Sequence, residues 1–449
     1  MKIKFLGAAG TVTGSSYVLT SGSGKSVLID LGMFQGPPEV NKLNYDPYDY
    51  DPSLLSGAIL THAHLDHCGR LPIIMPRGFK GNIWMTPATR DLTELSLFDS
   101  AKIAKDDQKE FLYDSAMVTQ TIVNFRTVDY HIPTQVGDFT VTLRDAGHIL
   151  GSASLEIVDK NPNTEIKKIV FSGDLGNTPE PLEAATELID SSDAVVMEST
   201  YGDRLHPTGN PIDSIQSEIN TIERTGGVLL IPSFSLDRTQ ELLHIIMHLK
   251  KEGKVANQTP VFMDSPMAQK ATTVYVNYPK LFNPEIQNDL KIGSLFDFPG
   301  LNIIQGREGS DGLHSVPGPK VIIAGSGMMT GGRIVGHAAY YLPIASTRLL
   351  IVGYQGEGTL GRELLEGKKE VFVDKKSVKV EGIVTDIQTM SSHADQKQLM
   401  NWLGHIKDVK KVFLTHGEDG PRTILSQKIS SELNIKDISM PIMNQEIIF

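Results

Sequence analysis

Four side chains able to ligate a metal fall within six residues, His62-Ala63-His64-Leu65-Asp66-His67, directly after the apolar run Gly57-Ala58-Ile59-Leu60-Thr61. Imidazole and carboxylate donors suit zinc and similar divalent ions. Two ligands per ion from one short loop would set two ions side by side, as in two-metal hydrolysis rather than in a structural zinc site. A solvated polar turn is the alternative. Such a turn needs no alternation of ligands, and this segment ends a strand, where catalytic loops sit. Cys68 is the single cysteine, which excludes an intrachain disulfide and a Cys-rich zinc site. It reads as a small packed side chain rather than a nucleophile.

Five further acids or imidazoles end apolar runs. Asp30 closes Val27-Leu28-Ile29, and His148 ends Asp145-Ala146-Gly147-His148 after residues 141–143. Asp174 follows Ile169-Val170-Phe171-Ser172-Gly173, Glu198 follows Val195-Val196-Met197, and His416 follows Val412-Phe413-Leu414-Thr415. Each alone reads as a turn residue or helix cap; their repetition in one chain outlines a site. His244 and His248 in the helical stretch 235–251 are a counter-example. Leu242, Ile245, Ile246 and Leu249 make its apolar stripe, which puts both histidines on the opposite, solvated face with no metal role.

The elements that must position these residues are short strands joined by Gly, Pro and Asn turns, at 3–6, 16–20, 26–30, 58–60, 140–144, 154–158, 168–171 and 194–197. Residues 90–120 have helical composition. After Tyr201 a helix at 212–223, a strand at 227–232 and the helix at 235–251 begin an alternation that runs to about Gly361, the pattern of a parallel α/β unit. A strand pair, 370–373 and 378–381, and further strand–helix units follow. A chain of 449 residues is expected to form two compact units. Hydrophobic content of 40% and charged content of 21% are those of a globular protein. No apolar run spans a bilayer, and Met1-Lys2-Ile3-Lys4-Phe5-Leu6-Gly7 alternates like a strand rather than a signal peptide. A cytoplasmic location with no membrane partner is expected. The net charge of −11 argues against a sequence-independent nucleic-acid coat. That figure includes the ligand acids, however, and two bound Zn²⁺ would offset about four charges.

The order Asp30, His62-x-His64-x-Asp66-His67, His148, Asp174 resembles the metallo-β-lactamase superfamily. Glu198, His393 in Ser391-Ser392-His393-Ala394-Asp395 and His416 in Thr415-His416-Gly417-Glu418 resemble the three added motifs of its β-CASP branch. The likeness covers nearly the whole chain. It implies an α/β fold: a four-layer αβ/βα sandwich, residues 1–205 and 363–449, with a β-CASP domain inserted at 206–362. It implies that His62, His64 and His148 hold one zinc, that Asp66, His67 and His416 hold the other, and that Asp174 bridges them. Asp30 would support the histidine loop through hydrogen bonds, as metal-bound imidazoles require. The ligand set accepts manganese as well as zinc. Homodimerisation is implied by the resemblance alone.

Ions about 3.5–4 Å apart share a water and lower its pKa toward 7. The hydroxide attacks phosphorus, and the departing sugar oxygen needs a proton. His393 is the candidate donor, because imidazole titrates near neutral pH, and Glu198 would orient it and favour its charged form. His393, Glu198 and Asp66 are thus the catalytic candidates; for His393 the other reading is a helix-cap neighbour without a role. The glycine-rich stretch from Gly325 to Arg333 follows the apolar run Val321-Ile322-Ile323-Ala324. Its backbone N–H groups, with Ser326, Gly327 and Arg333, offer a phosphate contact. Lacking the spacing of a nucleotide P-loop, it suits a phosphate of a polynucleotide backbone. Ser233, Ser235 and Arg238 make a second such contact, Arg238 reading equally as a solvated helix residue.

The expected function is zinc-dependent hydrolysis of single-stranded RNA, leaving 3′-hydroxyl and 5′-phosphate ends. By resemblance His416 favours RNA, since RNA-processing members carry His there and DNA-repair members a smaller apolar residue. Endonuclease action is expected over processive 5′-exonuclease action, since the chain shows neither the extra C-terminal domain of the ribonuclease J class nor N-terminal KH modules. A thioester or lactam hydrolase of the superfamily is one alternative, which the inserted domain and His393 disfavour. A non-catalytic scaffold is another, which the intact ligand positions disfavour.

Overall fold

Alternation along the strands assigns successive side chains to different cores. In Ser26–Leu31, Val27 and Ile29 enter one buried cluster while Leu28 enters another. In Lys168–Phe171, Ile169 and Phe171 enter the first cluster and Val170 a third. Strands apolar on both faces lie between covering layers.

The computed structural model describes residues 1–47, 49–106, 112–161, 165–178, 181–291, 293–356, 358–373 and 376–449. It divides into two compact units, Met1–Leu205 with Ser392–Phe449, and His206–Ser391. The first unit holds two seven-stranded sheets. One runs in the order Glu446–Ile448, Lys2–Gly7, Ser16–Thr20, Ser26–Leu31, Leu55–Ile59, Asn82–Met85 and Phe125–Thr127. The other runs Asp437–Ser439, Lys411–Leu414, Ala194–Met197, Lys168–Phe171, Ala153–Asp159, Phe139–Asp145 and Thr134–Val136. Phe5, Ile29 and Ile59 of the first sheet meet Leu155, Phe171 and Phe413 of the second in one core. Outside the first sheet, Leu97 of helix Pro87–Asp106 and Val118 of helix Ser115–Ile122 pack with Leu28 and Ile83. Outside the second, Leu399 and Trp402 of Gln396–His405 and Leu425 of Asp419–Lys428 pack with Val170, Val195 and Leu414. The layers are helix, sheet, sheet, helix: the αβ/βα sandwich.

Parallel register sets where the chemistry emerges. Phe171 lies opposite Val196, and Met197 opposite Leu414. Asp174, Glu198 and His416 therefore leave neighbouring strands at one edge. In the other sheet Ile29 lies opposite Ile59, so Asp30 and the Thr61-His62 segment leave together.

The second unit is a parallel sheet in the order Leu301–Ile303, Val261–Asp264, Lys320–Ala324, Val228–Pro232, Thr347–Ile351 and Ile383–Asp386. The helix Pro211–Thr225 begins on an Asn210 side-chain cap and stops at Gly226, left-handed with φ 66°. Among the described residues no helix is long and apolar enough to cross a membrane.

Two sequence readings need correction, and one element extends further than expected. The helical stretch at 90–120 is two helices, Pro87–Asp106 and Ser115–Ile122, with 107–111 outside the described residues. The second compact unit runs past the expected domain boundary at 362, to Ser391. Ile383–Asp386 pairs with Thr347–Ile351 at the edge of the second unit's sheet and carries residues 363–391 with it. His244 does not face solvent. The helix Arg238–Lys251 is covered around most of its circumference, burying Leu242, Leu243, His244, Ile245, Ile246 and Leu249. Burial, reinforced by the neighbouring His248, pulls the His244 imidazole down to about 4.

Candidate metal centre

The strand-end loops of the first unit converge on Asp174. Its Oδ2 lies 3.6 Å from His62 Nε2, 3.3 Å from His67 Nε2, 3.7 Å from His148 Nε2 and 3.7 Å from His416 Nε2. Two sets of donors share it: His62, His64 and His148 on one side, and Asp66, His67 and His416 on the other. His64 Nδ1 is 3.1 Å from His62 Nε2 and 3.2 Å from His148 Nε2, and His416 Nε2 is 3.4 Å from Asp66 Oδ2. Ligands about 2.0–2.1 Å from a common tetrahedral centre stand roughly 3.3 Å apart, which is the spacing found. The turns that deliver these side chains rely on glycine. Gly147 (φ 63°) precedes His148 and Gly173 (φ 58°) precedes Asp174; a Cβ would come within 2.7 Å of Thr186 N at the first and 2.8 Å of Ala153 O at the second.

The far nitrogens of four of these rings, those of His62, His67, His148 and His416, are tied down. Asp30 Oδ2 accepts from His67 Nδ1 at 2.8 Å, and Asp30 also accepts from the backbone N–H and hydroxyl of Thr61, both at 2.8 Å. Having given its proton to Asp30, Thr61 Oγ1 accepts from His62 Nδ1 at 3.1 Å. His148 Nδ1 donates to the Ser392 carbonyl at 2.9 Å. Thr200 Oγ1 donates to the His416 carbonyl and accepts from His416 Nδ1, both at 3.1 Å. This network places a proton on Nδ1 of His62, His67, His148 and His416 and turns their Nε2 atoms inward.

Charge completes the picture. Burial, together with neighbouring imidazoles, holds His62 and His148 well below the usual range, and His64 is held at about 4 by burial. All three are uncharged at neutral pH. Burial opposes charge on His67, but Asp174 and Asp30 outweigh it and hold that imidazole high, so a divalent ion binding there would have to displace its proton. Burial would raise Asp66, yet His416 and its neighbours keep it at about 2; Asp174 is likewise held down against burial by His416 and His67. Asp174 Oδ1 is buried without a hydrogen-bond partner. Inward lone pairs and buried carboxylates repel one another unless cations stand between them, so this donor set fits divalent metal ions. Cys68 is buried with its thiol pushed up by burial, which rules it out as a nucleophile.

His393 adjoins the cluster, its ring 4.7 Å from that of His148 and 5.7 Å from that of His416. Its Nδ1 meets the Glu198 carboxylate at 3.2 and 3.3 Å. Glu198 is buried and is itself fixed by the Leu175 N–H at 2.6 Å. Burial disfavours charge on His393, but Glu198 and then Asp174 and Asp66 lift it to about 9. Divalent cations beside it would draw that value back toward neutrality.

Of the second unit's predicted residues, Ser233, Ser235, Ser326 and Gly327 follow the carboxyl ends of adjacent parallel strands. Ser235 Oγ lies 3.1 Å from Ser265 Oγ, a hydroxyl that the sequence reading missed. Ser233 is buried and donates to the Phe234 carbonyl. Arg238 is neither solvated nor open: it is buried and paired with Glu241. Arg333 is paired with Asp264. Also missed were Thr61, Thr200 and the Ser392 carbonyl. Only the position of Thr61 and Ser392 beside predicted ligands signalled them.

Residues 9–202 match the metallo-β-lactamase superfamily, 239–364 the β-CASP domain, and 377–441 a Zn-dependent metallo-hydrolase RNA specificity domain. The chain is 34% identical to Ribonuclease TTHA0252 of Thermus thermophilus over 93% of its own length and 94% of that protein. It is 31% identical to an RNase J-like protein of Methanocaldococcus jannaschii, covering 93% and 92%, and 29% identical to Transcription termination factor FttA of Methanosarcina mazei, covering 97% and 70%. A solved protein of unknown function from Enterococcus faecalis shares the fold across 100% of this chain and 99% of its own, with TM-score 0.55 and 11% identity. The sandwich, the metal-ligand cluster with its histidine–glutamate pair, and these relatives together place the chain in the β-CASP ribonuclease family of the metallo-β-lactamase superfamily.

Proposed function

We propose that this protein uses zinc to hydrolyse phosphodiester bonds of single-stranded RNA, mainly at internal positions, leaving 3′-hydroxyl and 5′-phosphate ends. The observation that carries the reading is the His393–Glu198 pair beside the ligand cluster. An alkoxide leaving group is strongly basic and needs a proton donor, whereas the thiolate of a thioester leaves without one. The relatives named as ribonucleases support the same substrate.

His62, His64, His148 and Asp174 would hold one divalent ion, and Asp66, His67, His416 and Asp174 the other. Such a pair activates water and neutralises charge on the phosphate. Asp30, Thr61, Thr200 and the Ser392 carbonyl keep the ligand imidazoles in the tautomer that binds. Glu198 holds His393 Nδ1 and keeps the ring protonated, so that Nε2–H donates to the departing sugar oxygen. In the second unit, Ser235, Ser265, Ser326 and the Gly327 N–H are proposed to take a backbone phosphate, because ligands of parallel α/β sheets bind at the carboxyl ends of the strands. Ser233, Arg238 and Arg333, bonded to other protein groups, would shape that loop rather than touch the phosphate.

The purified protein is expected to cut a labelled single-stranded RNA and spare DNA of the same sequence; equal cutting of both overturns the assignment of RNA. Opening of a circular RNA is expected too, and a circle left intact beside a degraded linear form overturns internal cleavage.

A further inference from the structure

We propose that His244, His248 and Asp289 form an additional binding site for a divalent transition ion of the zinc type, which staples the helix Pro284–Leu290 to the helix Arg238–Lys251. All three residues belong to the second unit, and the inference does not rest on the ribonuclease reading.

Histidines four apart on a helix lie on one face and can reach one ion. Here the two rings stand 4.5 Å apart, and His248 Nε2 is 3.0 Å from Asp289 Oδ2. One ligand atom from each of the three side chains lies within 4.8 Å of the other two. Donors around a tetrahedral ion are about 3.3 Å apart, so a small rotamer adjustment closes the set.

A simple His248–Asp289 ion pair accounts for two of the residues and leaves the third unexplained. His244 is 6% exposed, and its Nδ1 has no hydrogen-bond partner. The Leu295 backbone also offers the ring a hydrogen bond, which ranks below burial, His248 and Asp289 among the influences on its charge. A buried polar atom without a partner is costly, and a bound ion is one of the few things that account for one in a native core. The other side of the site is open: the side chains of His248 and Asp289 are 30% and 26% exposed. An ion can enter there and complete its shell with water. Two imidazoles and one carboxylate favour zinc and its neighbours over magnesium or calcium. The gain to the fold is local. A seven-residue helix does not hold itself, and a metal bridge ties it to the longer helix.

The test compares full-length wild type with His248→Gln, Asp289→Asn and, as a control at the other centre, Asp66→Ala. Each protein is dialysed against zinc-buffered solution, its zinc counted by elemental analysis and its thermal midpoint read with and without zinc. His248→Gln and Asp289→Asn are expected to carry one zinc fewer per chain than wild type, with RNA cleavage kept. The zinc-dependent gain in midpoint should shrink in both, and a His248→Gln/Asp66→Ala double variant should lose more zinc than either single variant. Wild type and both second-unit variants carrying equal zinc, with matching circular dichroism, overturns the proposal. Zinc lost only in Asp66→Ala also overturns it, while the reading of the ribonuclease centre stands.

Discussion

Replacing Glu198 by Gln tests the role of His393 most directly, because it removes a charge and keeps the shape. Glu198 meets His393 Nδ1 at 3.2 Å, and an opposite charge so close raises an imidazole by about 1–3 units. With Glu198 in place His393 stands at about 9 against an ordinary 6.5, although burial pulls the other way. The sign follows. A raised imidazole is protonated, and so a competent acid, below its own pKa, and that competence is lost as pH rises through it. Bound cations lower the wild-type and variant values together, so the difference between them survives. In Glu198→Gln the alkaline limb of the kcat profile should therefore move down by about 1–3 units, with zinc content unchanged. His393→Ala should lower kcat on RNA by about 10²–10⁴-fold. The assay is single-turnover cleavage from about pH 5.5 to 9.5, a span that brackets both limbs, repeated with bis(p-nitrophenyl) phosphate, whose leaving group needs no proton. On that ester the His393→Ala penalty should largely vanish. An equal penalty on both substrates, or an alkaline limb that stays put in Glu198→Gln, refutes the assignment of His393 as acid. Loss of zinc from His393→Ala would make it a ligand instead.

Asp66→Ala should lower zinc occupancy by removing a donor of the second set; unchanged metal content and activity by elemental analysis and RNA cleavage would show that Asp66 is no ligand. Asp30→Ala releases His67 Nδ1 and should weaken zinc binding about 10–100-fold, read by competition with a chromophoric chelator; equal affinity would remove Asp30 from its supporting role. Arg238→Ala leaves buried Glu241 without the Arg238 guanidinium. It should cost about 3–5 kcal/mol in urea unfolding rather than act selectively on KM for RNA; a normal unfolding midpoint with a raised KM would restore Arg238 as a phosphate contact.

What the sequence discloses is set by range. Period-two burial, as in Val27 and Ile29 against Leu28, is local, so the strands and their two-sided burial are legible in the order of the residues. The donors that the fold gathers are legible too, because six positions supply four of them and the strand-end motifs repeat. Solvation of His244 is not: a single helix shows its own apolar stripe but not what else in the fold will cover the remaining face. Arg238 fails the same way, since its partner Glu241 marks a buried pair only once the surroundings exclude water. The place of Ile383–Asp386 is not legible either, because nothing in its own residues says which sheet it joins; only pairing with Thr347–Ile351 decides that.

The tautomers are the deepest layer, and they depend on long-range assembly. Ser392 reaches His148 across 244 residues and Thr200 reaches His416 across 216, so no window of sequence contains either pair. Backbone strain marks the same places. Asp30 (φ 52°) and His416 (φ 46°) are non-glycine residues in the left-handed region at the ends of buried strands, a conformation that costs about 1–3 kcal/mol each. Both are held there by specific bonds: Asp30 by the Thr61 N–H, and His416 by its own N–H donating to the Ala8 carbonyl at 2.7 Å. Both residues also meet the ligand cluster, Asp30 through His67 and His416 directly. The fold thus retains strain at the two strand ends whose side chains set the cluster, His416 directly and Asp30 through His67, and relaxed backbone there would aim them elsewhere.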